Sequence, residues 1–135
     1  MKLTSKLSLG LLAAVAVSAA VAVPKAKAAV EMPPEIRGIY AAQKSECAVS
    51  VQEYKKNDQT PYLLINQKGV FWGYIASCVP KKVSGGNGVY KLQESCADAE
   101  DPVAIKVLVT YTIKGDVLTY ASKSGSDTYQ RCEAL

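Results

Sequence analysis

Ile105-Lys106-Val107-Leu108-Val109-Thr110-Tyr111-Thr112-Ile113-Lys114 decides the fold. Ile105, Val107, Val109, Tyr111 and Ile113 recur at every second position, with Lys106, Thr110 and Thr112 opposite. A period of two places one set on each face of a strand, so this stretch predicts a half-buried β-strand. Val49 and Val51 continue the same spacing from Cys47. Tyr62-Leu63-Leu64-Ile65 is an apolar run of strand length, and Val70-Phe71-Trp72-Gly73-Tyr74-Ile75 follows a turn at Gln67-Lys68-Gly69.

Turn residues punctuate these runs. Asn57–Pro61, Gly85–Gly88, Lys114–Asp116 and Ser124–Asp127 all hold Gly, Asn, Asp, Ser or Pro. Such residues adopt positive φ or bond their own backbone in tight turns. Strands are expected near 36–43, 47–54, 61–67, 69–79, 82–84, 88–96, 104–113, 117–122 and 128–132. Neighbouring runs can merge or split, so the count is about eight. No stretch after residue 30 carries a convincing helical period. The expected fold is all-β, a small antiparallel meander closed as a barrel, lipocalin-like or inhibitor-like. Closure is favoured over an open sandwich because it removes unpaired strand edges.

Upstream of this domain, residues 1–28 read as a signal peptide. Lys2 and Lys6 precede an apolar core from Leu7 to Val23, then Pro24 and Ala26-Lys27-Ala28. Small residues at −3 and −1 place the cut after Ala28, with Ala20 and Ala22 as alternatives. An uncleaved anchor is the competing reading, because bases flank the core on both sides. Removing the leader leaves residues 29–135 as one domain. The leader also takes Lys2, Lys6, Lys25 and Lys27 out of the overall charge of +4. The remaining bases and acids then balance, which argues against nucleic acid as a partner.

The four cysteines, Cys47, Cys78, Cys96 and Cys132, all lie in the mature part. An even number in a short exported chain reads as two disulfides and a periplasmic or secreted location. Cys78 and Cys96 are equidistant from Asn87, the middle of the Gly85–Gly88 turn, so a hairpin there sets them opposite each other. Cys47 then pairs with Cys132. The pairing 47–78 with 96–132 is the second choice. Zinc is disfavoured, for no pair has C-x-x-C spacing and the chain has no histidine.

The missing histidine also removes imidazole triads and pH switches. No mature Ser lies three residues before a Lys, and the acids sit mostly in turns. An enzyme is therefore not expected, nor a cofactor or metal. Glu94, Asp98, Glu100 and Asp101 form the densest acidic cluster. Their spacing matches no calcium loop, and a solvated acidic loop is the preferred reading. Lys55-Lys56 and Lys81-Lys82 sit beside turns or on edges, where Lys discourages strand pairing.

Aromatics are the most suggestive feature. All eight tyrosines follow the leader. Tyr and Trp are enriched at binding surfaces, although they are also ordinary strand residues. Trp72, Tyr74, Tyr90 and Tyr120 are the candidate binding residues. Phe71 and Trp72 face opposite sides of one strand, so either Trp72 is an outward anchor or it plugs the core.

Gly38-Ile39-Tyr40 with Cys47, Ala76-Ser77-Cys78, Cys96-Ala97-Asp98-Ala99-Glu100 and Tyr129-Gln130-Arg131-Cys132 together resemble a known group. It is the small uncharacterised periplasmic four-cysteine proteins of proteobacteria. Tyr40 stands where that group usually has Trp, and Asp98-Ala99-Glu100-Asp101 replaces a Gly-Glu-Gly-like turn. The resemblance implies export and disulfides and supplies no activity. The architecture is also similar to the periplasmic barrels that inhibit lysozymes or proteases. The expectation is a monomeric binding protein, inhibitor-like toward a protein or envelope component, with no stable membrane insertion after leader removal. The alternative is a lipocalin-like carrier of a small apolar ligand.

Overall fold

The structure, a computed structural model, describes residues 28–56 and 62–135. The expected leader, Ala28 apart, and the turn at 57–61 lie outside the described residues. Eight strands form one closed barrel: β1 (Gly38–Ala41), β2 (Leu63–Asn66), β3 (Gly69–Trp72), β4 (Ala76–Gly86), β5 (Val89–Asp98), β6 (Ile105–Lys114), β7 (Val117–Ser122) and β8 (Gly125–Ala134). Each strand pairs antiparallel with its neighbour in sequence, and β8 returns to β1 through Gly38 opposite Ala134. Every ladder therefore finds a partner strand and no edge is left open.

The β6 alternation survives from Val107 to Ile113, while Ile105, at the start of the strand, is exposed. Ile105, Val107, Val109 and Tyr111 sit opposite Cys96, Glu94, Leu92 and Tyr90 of β5. This is the face that turns inward. Tyr40, Leu63, Ile65, Val70, Leu92, Val109, Tyr111 and Leu118 form the buried core, with Trp72, Val107, Ile113 and Tyr120 packed against it. Burial of such side chains is worth roughly 1.5–3 kcal/mol each.

The two ends of the barrel differ. At the base, the N-terminal segment folds back as a stopper. Met32 and Ile36, the latter in a 3-10 turn at Pro34–Ile36, are fully buried. Met32 donates its amide to the Gln67 carbonyl of the β2–β3 turn at 3.1 Å. The Tyr40 hydroxyl donates to the Ile36 carbonyl at 2.8 Å. Arg131 straps the segment down, donating to the Glu35 and Gly115 carbonyls at 2.8 and 3.1 Å. At the mouth lie the β3–β4 turn, the β5–β6 loop and the β7–β8 turn.

Three expectations need correction. The strand expected at 47–54 is a helix, α1 (Cys47–Lys56). β1 already pairs with β2 on one side and β8 on the other, so the barrel has no vacancy for it. Gln43 and Glu46 form a capping box ahead of the helix, and Lys55 and Lys56 sit in its last turn, where they suit the helix dipole. The alternation at Val49 and Val51 does not mark a buried face, since Val49 is exposed. α1 packs on β1 and β8. Its shelter explains why Ile39 and Ala41 are buried although they lie outside the core cluster.

The run 69–79 divides into β3 and β4 at Gly73, whose φ of +53° suits glycine in the tight turn closed by Ile75 N–H to the Trp72 carbonyl at 3.0 Å. Glu94 does not belong to a solvated acidic loop. It shares the inward face of β5 with Leu92 and Cys96 and is wholly buried, whereas Asp98, Glu100 and Asp101 are exposed. Period two carries it into the core despite its charge.

The disulfides are Cys47–Cys132 and Cys78–Cys96, as the turn symmetry predicts. The first ties α1 to β8, and the second crosses directly from β4 to β5 with Cα atoms 4.0 Å apart. Among the described residues no helix is long and apolar enough to cross a membrane.

Candidate functional site

The mouth gathers the candidate residues. Trp72 points inward from the end of β3, packs on the core, and sets its ring edge-on to Tyr120 at 5.7 Å. Of the two readings of Phe71-Trp72, the core-side one holds for Trp72. Tyr120 lies in turn against Tyr111 at 5.4 Å, also tilted towards an edge contact. Offset and edge contacts of this kind align the positive ring edge with the negative face of the next ring. Tyr90 is buried deeper, among the core residues. Tyr74 is 69% exposed in the β3–β4 turn. The structure thus brings Trp72 and Tyr120 together, seats Tyr90 below them and sets Tyr74 outside.

Beneath the aromatic pair lies a buried polar contact. Tyr111 donates its hydroxyl to Glu94 Oε1 at 2.8 Å, and Glu94 Oε2 has no partner among the described residues. Burial raises the Glu94 pKa to about 7, with the Tyr111 hydrogen bond opposing. Burial raises the Tyr111 pKa as well, and the neighbouring carboxyl adds to it. Glu94 also lies close to the sulfurs of Cys78 and Cys96. Those sulfurs are joined to each other, so the group has no thiolate to offer a metal.

Comparison with protein-family models, with curated proteins and with solved structures gives no match. Function is therefore read from the geometry of the mouth alone.

Around its rim the mouth exposes large apolar side chains, of which sequence reasoning named only Tyr74 as a binding candidate. Ile75 is 73% exposed, Val103 70% and Ile105 63%, and Tyr74 stands beside Ile75. The β3–β4 turn and β5–β6 loop are tied together, because Ala99 N–H donates to the Ile75 carbonyl at 2.8 Å. Local hydrogen bonds shape the loop. Asp98 Oδ1 accepts from Glu100 N–H and Asp101 N–H, and Asp101 Oδ1 accepts from Val103 N–H. These are short-range turns that hold a loop without helix or strand. The segments 70–80 and 95–105 together contain three acids and no base. Gly73 and Pro102 were the missed signal for Ile75 and Val103: each lies just ahead of an apolar residue that the structure places in a turn or loop rather than a strand.

A hollow of about 550 Å³ opens between the aromatic pair and the β7–β8 turn. Trp72, Tyr120, Val107 and the Cys78–Cys96 bridge line it, and Ser126 and Asp127 are among the residues at its lip. A second concavity, about 850 Å³, lies across β4–β7 and includes Lys82, Lys91 and Leu108.

Proposed function

We propose that this chain is an exported, monomeric and non-enzymatic binding protein of the bacterial envelope. It engages a protein partner through the apolar rim of its mouth, in the manner of an inhibitor. The observation that carries this reading is the exposure of Tyr74, Ile75 and Val103 on two hydrogen-bonded loops, with Ile105 at the adjoining start of β6, at one end of the barrel. Contiguous exposed apolar side chains with polar neighbours are the usual mark of a protein contact. Asp98, Glu100 and Asp101, with no base in either segment, favour a partner with a basic surface.

Two disulfides support an oxidising compartment, the periplasm or beyond. The filled lower barrel counts against the alternative, a lipocalin-like carrier. Tyr111, Tyr40, Met32 and Ile36 occupy the space that a large apolar ligand would need.

The test is capture from envelope extract on immobilised oxidised protein, beside the Ile75→Asp/Val103→Asp variant and a reduced, alkylated control. The expected result is a protein retained by the native form, released by salt, and lost with the double variant while its circular dichroism is unchanged. Retention of the same protein by the double variant overturns the reading.

A further inference from the structure

Cross-strand register determines what faces the hollow at the mouth. Asp127 of β8 lies directly opposite Tyr120 of β7, and Gly125 opposite Ser122. Directly paired residues share a face, so Asp127 projects on the same inward side as Tyr120. Val107 and Cys96 complete the lining, and Trp72 and Tyr120 meet in a T-shaped contact. Among the residues that line the hollow, Asp127 is the only ionisable one apart from the Tyr120 phenol, and no base is present. Burial first, then the Glu94 carboxyl and Tyr129, and last the Asp127 charge hold the Tyr120 hydroxyl in its neutral form.

The combination has a chemical meaning. Aromatic faces attract cations and leave anions unsolvated, and a carboxylate at the entrance supplies the counter-charge. Serine hydroxyls at the lip, Ser122, Ser124 and Ser126, can bond a small polar substituent. The apolar floor, made of Val107 and the Cys78–Cys96 bridge, suits methyl groups rather than a hydrated ammonium. We infer that the mouth hollow is a binding site for a small organic cation of the alkylated ammonium class, held between the Trp72–Tyr120 pair and Asp127. This inference does not depend on the rim docking a protein.

Trp72 is the only tryptophan of the chain, so its emission reports on this site alone. The oxidised protein is titrated with choline, and in parallel with 3,3-dimethyl-1-butanol, its uncharged isostere. The expected result is a saturable change in emission with choline in the millimolar range or tighter. The isostere and the Asp127→Asn variant are each expected to bind about tenfold or more weakly. Asp127→Glu restores the response in part, which separates a charge effect from a folding defect. Equal responses to choline and the isostere overturn the inference, as does a linear quench shared by the wild type and Asp127→Asn, or no response at all.

Discussion

Glu94 is the residue on which the interior chemistry turns. It is buried, bonded once to Tyr111, and its carboxyl titrates near pH 7. In the unfolded chain the same carboxyl titrates near 4.5. Between those values the folded protein keeps a proton that the unfolded chain releases, so stability falls as pH rises through the window. The stabilisation is complete below pH 4.5 and gone above pH 7, a difference on the order of 3 kcal/mol. Urea denaturation of the wild type is therefore expected to show a midpoint that drops as pH rises from about 4.5 to 7. Glu94→Gln, which stays neutral, is expected to flatten that slope; a slope that persists in the variant assigns it to another group. Half of this was legible in the sequence. Tyr90, Leu92, Glu94 and Cys96 fall on alternate positions, but proximity in sequence to Asp98, Glu100 and Asp101 made Glu94 read as one more surface charge. Trp72 was legible only as a choice of two faces, because neither neighbour of Phe71-Trp72 is polar enough to reveal the outer side.

At the scale of elements, the β4–β5 hairpin shows how register decides chemistry. Its tip is a two-residue turn, Asn87-Gly88, both at positive φ, between the paired Gly86 and Val89. That geometry matches the right-handed twist of hairpin strands. Counting back evenly from it would set Ala97, not Cys96, against Cys78. One extra residue, at Lys81, makes up the difference: the register shifts between Pro80 and Lys82. A bulge of this kind swaps the faces of everything beyond it. The sequence led to the right pair from a turn centred on Asn87, because the bulge offsets the half-residue difference. Deleting Lys81 is expected to turn Cys78 away from Cys96 and leave two thiols titratable in the denatured protein; a full complement of disulfides would show that the tip slips to compensate. The helix α1 was not legible. Its apolar residues are too few for a helical stripe, and what specifies it is the capping box at Gln43 and Glu46 and the full pairing of β1.

For the whole molecule, the closed meander was legible from the alternating runs and their turns, since eight short strands with no helical period have few other solutions. The stopper at the base was not, because Ala29–Pro34 reads only as an extended lead-in and Met32 has no partner nearby in sequence. The two bridges act at different ranges, spanning 85 and 18 residues. In the chain-entropy account the longer one contributes roughly 4.6 kcal/mol and the shorter roughly 3. Replacing Cys47 and Cys132 by Ser is thus expected to lower the thermal midpoint further than replacing Cys78 and Cys96, as calorimetry would register. The reverse order would mean that the short bridge is worth more as packing above Glu94 than as a tether. The seam that closes the barrel has one more consequence. It joins the first strand to the last, so a chain still emerging from the ribosome has no complete sheet to settle into. Until residues 125–134 are available, β7 and β1 each lack a neighbour, and long-range pairing of this sort forms slowly. The order of assembly is written into the connectivity: the polypeptide stays threadable for as long as its tail is missing, and becomes a finished object only when its two ends meet.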